Sequence, residues 1–147
     1  MPGMACFRRP PSVTTMTQAS ARQLFLTGSP NEEKYGYCRA IRVGERILVS
    51  GCTAMIAGGV APEHKGNMLE QTREAMRRVG QALAHFGLGF EHIVFTRVFI
   101  TDASQLPQLI QGHGEVFGAI KPGSTCVGTP FLFHPDLLVE IEVEAQA

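Results

Sequence analysis

The chain has 147 residues, 44% of them hydrophobic, which suits one compact domain with a single core. Its 13 Lys plus Arg balance 13 Asp plus Glu, and a net charge of zero disfavours nucleic acid and anionic membrane surfaces as partners. No apolar run approaches the roughly 18 residues of a membrane-spanning helix, so a soluble cytoplasmic protein is expected.

Residues 1–31 contain Arg8, Arg9 and Arg22, several Ser, Thr and Pro, and no acid before Glu32. That composition faintly resembles a transit peptide, but Pro10-Pro11 and the lack of an apolar face argue against an amphipathic helix. A disordered extension over 1–31 is expected, with Met4 and Met16 as alternative starts, followed by one domain over 32–147. The cysteines Cys6, Cys38, Cys52 and Cys126 have no Cys-x-x-Cys spacing and no secretory signal before them, and read as reduced thiols. The five scattered histidines lack metal-ligand spacing, so neither a metal nor another cofactor is expected.

From Tyr35 to Gly51 the sequence writes a β-hairpin. Gly44-Glu45 fits a two-residue type II′ turn, whose first position requires positive φ, and that register opposes Arg39 to Ser50 and Tyr37 to Cys52. Alternation then puts Tyr37, Arg39, Ile41, Leu48, Ser50 and Cys52 on one face, with a phenol, a guanidinium, a hydroxyl and a thiol at one end. Residues 53–65 read as loop with at most one short strand. A helix follows, capped by Asn67 with Glu70 three residues on, carrying Leu69, Thr72, Met76, Val79, Leu83 and Phe86, and stopped by Gly87.

Ile93 to Ile100 is an uninterrupted β-branched and aromatic run, the pattern of a central strand buried on much of both faces. Asp102 or Ser104 can cap a second helix carrying Leu106, Leu109, Ile110, His113, Val116 and Phe117, weakened by Gly112 and Gly114 and ended by Lys121-Pro122. Strands around 124–128 and 138–145 complete the order ββ, α, β, α, ββ. This is an α+β pattern, with two helices on one face of a mixed sheet, and the other face is a candidate subunit interface.

Four segments in order resemble one family: Gly36 to Gly44, Val49-Ser50-Gly51, Thr96 to Asp102, and Leu138 to Glu142. The chain is similar, over residues 35–145, to the Rid proteins, also called YjgF or endoribonuclease L-PSP. The resemblance implies a chorismate-mutase-like α+β fold, a homotrimer around a central barrel, and small-ligand clefts between neighbouring subunits. It implies pocket positions at Tyr37, Ser50, Cys126 and Glu140. In the deaminating branch an arginine two residues before the cysteine clamps the substrate carboxylate. Ser124 stands there in this chain, and Ile110 stands near the branch's pocket asparagine. A hydroxyl cannot reproduce the two charge-assisted hydrogen bonds of a guanidinium, so ordinary 2-imino acids are expected to bind poorly.

Each candidate has a plainer reading beside its functional one. Arg39 can supply a replacement guanidinium, or simply an interface ion pair. Glu140 can move a proton for hydrolysis, whereas Glu142 and Glu144, on the same strand face, read as a solvated outer row. Cys126 has no His or Lys beside it in sequence and reads as a buried thiol more than a nucleophile. Tyr37 is a ligand-facing lid or a packed aromatic. His134 and Asp136 read as turn chemistry, and His113 as a core histidine. Three functions follow: hydrolysis of a small imine or enamine with release of ammonia, non-catalytic binding of a small metabolite, and, ranked last, RNA cleavage.

Overall fold

The computed structural model describes residues 21–56 and 58–147. Most of the expected N-terminal extension, with Cys6, Arg8, Arg9 and the alternative starts, lies outside the described residues. Six strands, β1 (Arg22–Phe25), β2 (Ala40–Val43), β3 (Arg46–Cys52), β4 (Ile93–Ile100), β5 (Gly123–Gly128) and β6 (Val139–Gln146), form one sheet in the order β1-β2-β3-β6-β4-β5. Every neighbouring pair is antiparallel except β4 and β5. The helices are α1 (Pro30–Tyr35), α2 (Met68–His85) and α3 (Leu106–Phe117).

The domain begins earlier than residue 32. Residues 22–25 pair with β2, Arg22 opposite Val43 and Phe25 opposite Ala40, and α1 starts at Pro30. Glu32 ties these segments together: its carboxylate accepts hydrogen bonds from Thr27 N, Thr27 Oγ1 and Gly28 N at 2.9–3.0 Å. Burial works to raise its pKa, but these donors and the charge of Arg39 outweigh it, so the carboxyl sits below its ordinary value.

The hairpin has the register that the turn dictates. Val43 faces Arg46, Ala40 faces Val49, and Gly44 has φ 63°. Asn67 caps α2, its side chain accepting from Glu70 N at 3.1 Å. The apolar stripe of α2, including Met68, Met76, Val79 and Leu83, packs on the inward row Ile47, Val49, Val139, Ile141 and Val143. Each such side chain removed from water contributes about 1.5–3 kcal/mol, so this layer is the main source of stability. Helix α3 lies beside α2, and Gly112 makes the approach close: a Cβ there would come within 2.8 Å of Thr72 Cγ2. Ile110 points away, 63% exposed.

Two expectations about strand position are corrected. The centre of the sheet is β3 and β6, while β4 lies next to the β5 edge. Strand β4 is also buried on one face only: Ile93, Thr96, Val98 and Ile100 are covered by the helices, while Phe95, Arg97 and Phe99 on the other face are half-buried. The apolar run reflects a sheet whose second face carries rings and charges instead of a second helix layer.

Candidate functional site

A break in β3 organises one end of the bare sheet face. The register against β6 shifts between Val49 and Cys52, so Ser50 and Gly51 bulge and both Val49 and Cys52 turn inward. Cys52 is consequently in the core at 1% exposure, which corrects the expectation that it shares a face with Tyr37. Burial pushes its thiol pKa up, with Arg39 opposing.

Arg39 gathers the bulge. Its Nη1 donates to Gly51 O at 2.6 Å and lies 3.9 Å from Cys52 Sγ, and its Nη2 donates to Tyr37 Oη at 3.3 Å. The guanidinium carbon is also 5.6 Å from the Tyr37 ring centroid. Both terminal nitrogens are thus engaged within the chain. Ser50 Oγ donates to Cys38 O at 2.7 Å, tying the bulge to the segment that leads into β2.

Glu140 comes from β6 and lies over Gly51, where an added Cβ would collide with Glu140 Oε1. The lack of a side chain at Gly51 is what gives the carboxyl its place. Burial raises the Glu140 pKa above its ordinary value, Arg39 counteracts this, and Glu142 adds to it. A carboxylate of this kind is a better proton acceptor than one in free water.

Further along the same face, Glu142 and Glu144 are not a freely solvated row. Arg97 donates to Glu142 Oε1 at 3.1 Å and Glu144 Oε1 at 2.7 Å, and Arg46 reaches Glu144 Oε2 at 3.2 Å. Ile41 and Leu48 lie beside them on β2 and β3, and Leu48 opposes Glu144.

Ser124 and Cys126 lie elsewhere. In the parallel pair Ser124 stands beside Thr96 and Cys126 beside Val98, both inward residues, so the two point to the helix side of the exposed β5 edge. Within one chain, Tyr37, Arg39, Ser50 and Glu140 come together, while Ser124 and Cys126 are two strands away from Glu140 on the opposite face. Cys126 is exposed, not buried as expected, because β5 has no outer neighbour. What burial it has still raises its thiol pKa, away from the thiolate.

Sequence reasoning passed over Gly51, whose signal was a glycine inside a strand pattern, and Thr96, which joins Ser124 to His113. Thr96 Oγ1 donates to Ser124 Oγ at 2.7 Å and lies 3.1 Å from His113 Nε2. His113 is half-buried against the Phe117 ring, 4.6 Å between centroids, and burial lowers its pKa. His134 and Asp136 serve the loop: Asp136 N donates to His134 Nδ1, and the Asp136 carboxylate pairs with Lys65. Gln71, fully buried, anchors the same loop by donating to Asp136 O and accepting from Leu138 N. One surface depression, at Gly28, Ser29 and Glu33, is also lined by Glu32, which lies within the field of Arg39, and another is lined by Gln23, Arg42 and Gly44. Among the described residues no group of His, Cys, Asp and Glu is arranged to hold a metal ion, and no helix is long and apolar enough to cross a membrane.

A mixed sheet covered by helices on one side, with a half-buried carboxyl and a guanidinium at a bulge on the bare side, defines an α+β domain built around a polar sheet face. The chain belongs to the Rid/YjgF family: residues 29–147 match the family described as Endoribonuclease L-PSP. An uncharacterized protein of Streptomyces coelicolor is 34% identical over 130 residues, covering 88% of this chain and 95% of that protein. A crystal structure from Mycobacterium tuberculosis, of a member of the YjgF/YER057c/UK114 family, is 35% identical with TM-score 0.76, covering 86% of this chain and all of that one. Escherichia coli TdcF with bound serine shares the fold at 24% identity and TM-score 0.67, covering 76% and 87%.

Proposed function

We propose that the protein binds a small metabolite in clefts between the subunits of a homotrimer and hydrolyses its C=N bond. The observation that carries this reading is the Glu140 carboxyl, desolvated above Gly51 with Arg39 beside it. Water adds to the imine carbon while its proton passes to the Glu140 carboxylate. The proton then moves to nitrogen to give the amino alcohol; as the C–N bond breaks, the hydroxyl proton passes by way of Glu140 to the leaving nitrogen, the carbonyl forms, and ammonia leaves. Arg39 holds Tyr37 and Gly51 in position and favours the ionised form of Glu140.

The half-site at Ser124 and Cys126 is on the other face of the chain, so a complete pocket requires a neighbouring subunit. The bare face, with Ile41, Leu48 and the Arg97 ion pairs, is the surface proposed to meet it. That the fold of TdcF holds a serine supports a ligand of amino-acid size. Absence of the branch's arginine at Ser124 favours a second reading, a trimer that binds such a metabolite without turning it over. RNA cleavage has the least support, since the net charge is zero and the described histidines form no acid–base pair.

The experiment is ammonia release from freshly generated 2-imino compounds by the wild type and Glu140→Gln, with mass measured by light scattering. Release that disappears in Glu140→Gln supports hydrolysis. Binding without release supports the second reading, and a monomer at working concentration overturns both.

A further inference from the structure

Arg78 and Arg97, half-buried like Arg39, each lie within ion-pair distance of a carboxylate. Among the described residues Arg39 does not. The two acids in its field are Glu32, whose carboxylate is taken up by Thr27 and Gly28, and Glu140, which rests over Gly51. The guanidinium is held instead by Gly51 O on Nη1 and by Tyr37 Oη on Nη2, at 2.6 and 3.3 Å. A guanidinium has no acceptor, so the phenol oxygen is the acceptor whichever way its own proton turns. That proton therefore points away from Arg39, and among the described residues no acceptor takes it. Tyr37 is half-buried, and its main chain is pinned, since Gly36 N and Tyr37 N both donate to Glu32 O at the end of α1.

We infer that Arg39 determines ligand specificity at one remove: the Tyr37 hydroxyl grips a carboxylate of the ligand with the charge of Arg39 behind it. Hydrogen bonds in series polarise one another, so a phenol whose oxygen accepts from a cation is a better donor than an isolated one. A bond from it to a carboxylate is charge-assisted. A half-buried cation without a direct counter-ion is also stabilised by an anionic ligand, whereas a neutral amide oxygen takes the same phenol proton without that attraction. One relayed bond is weaker than the two parallel bonds of a guanidinium clamp, so the preference for an anion is limited in size. Glu140 is a like charge in the same field, and its ionised form opposes the ligand carboxylate. A small ligand with a carboxylate beside its reacting carbon follows. Tyr37 is the binding group, and Arg39 is a positioning residue.

This inference rests on the reading of the Glu140 end of the sheet as a ligand cleft, and the test separates the two. Binding of pyruvate and of uncharged pyruvamide to the full chain is measured by ligand-observed NMR for the wild type, Tyr37→Phe, Arg39→Gln and the double variant. Glutamine keeps a donor for Tyr37 Oη and removes the charge. The expected result is pyruvate bound about tenfold more tightly than pyruvamide by the wild type, the low end for a hydrogen bond to a charged group. Arg39→Gln abolishes the preference while pyruvamide binds as before, which also shows the fold intact. Tyr37→Phe abolishes it too, and the double variant loses no more than either single one, as two groups acting in series require. Equal binding of the two ligands by the wild type, binding of neither, or a preference that survives Tyr37→Phe overturns the inference. So do losses that add in the double variant, which would place Arg39 on the ligand directly, and an Arg39→Gln that weakens both ligands alike, the mark of a structural role. Glu140→Gln should bind pyruvate more tightly than the wild type does; weaker binding of pyruvate there overturns the inference as well. Ammonia release from the pyruvate imine is run alongside. The preference for pyruvate without any release sinks hydrolysis and leaves the inference standing, while release without the preference does the reverse.

Discussion

The carboxyl of Glu140 occupies the space in which a side chain at Gly51 would begin. Gly51→Ala therefore has to displace a half-buried acid from its seat. A cost of about 1–3 kcal/mol is expected, the range for overpacking a closely packed position. In a double-mutant cycle the cost should shrink in a Glu140→Ala background, where the clash is gone. Urea unfolding of the four proteins measures this, and equal costs in both backgrounds would refute the arrangement.

The same carboxyl predicts a pH dependence. Its folded pKa is raised, so ionisation is harder in the folded state than in the unfolded one. The penalty is absent below the unfolded carboxylate value and complete once pH has passed the folded one. Glu140→Gln should accordingly gain stability relative to the wild type as pH rises through that window, and ammonia release by the wild type should rise over the same interval. A stability difference that is flat with pH would falsify this assignment.

Glu32 behaves in the opposite sense. Its pKa is lowered by the donors of Thr27 and Gly28 against the pull of burial, so it contributes stability above the unfolded carboxylate value that is lost as pH falls through the folded one. Glu32→Ala should cost on the order of 1.5–3 kcal/mol at pH 7, the range for hydrogen bonds to a charged group. The deficit should shrink in acid, as chemical denaturation at two pH values would reveal.

Gly112→Ala should separate α3 from α2. The new methyl meets Thr72, whose hydroxyl donates to Met68 O at 2.7 Å and cannot swing away freely. A loss of about 1–3 kcal/mol is expected. Thr72→Ser removes the methyl that is struck and should return part of the loss, read as a shift in the thermal midpoint.

The parts of the fold legible in the sequence are those fixed by nearby residues. Gly44-Glu45 set the hairpin register, Asn67 and Glu70 set the start of α2, and four short segments in order carried the family. What escaped depended on distant partners. The bulge at Ser50 and Gly51 exists because β3 must fit β6, some ninety residues later, and alternation counted from the hairpin alone sends Cys52 to the wrong face. Strand β1 is four mostly exposed residues, Arg-Gln-Leu-Phe, without alternation to betray it. For β5, periodicity groups Ser124 with Cys126 but does not say which side of the sheet they take. That is set by the crossover through α3, which also brings Thr96 and His113 to Ser124. The cluster of Tyr37, Arg39, Ser50 and Glu140 was named from residue types and resemblance, whereas Gly51, which makes room for it, carries no functional group to notice.

Strand β6 is the seam of the sheet, pairing with β3 on one side and β4 on the other. During biosynthesis the β1-β2-β3 meander and the β4-α3-β5 crossover are both made before the strand that joins them. Until residues 139–146 have left the ribosome, each half exposes an unpaired edge, and Ile47 and Val49 lack the Ile141 and Val143 that complete their core. The nascent chain is consequently most exposed to aggregation in the interval before that strand is free to pair with both of its neighbours.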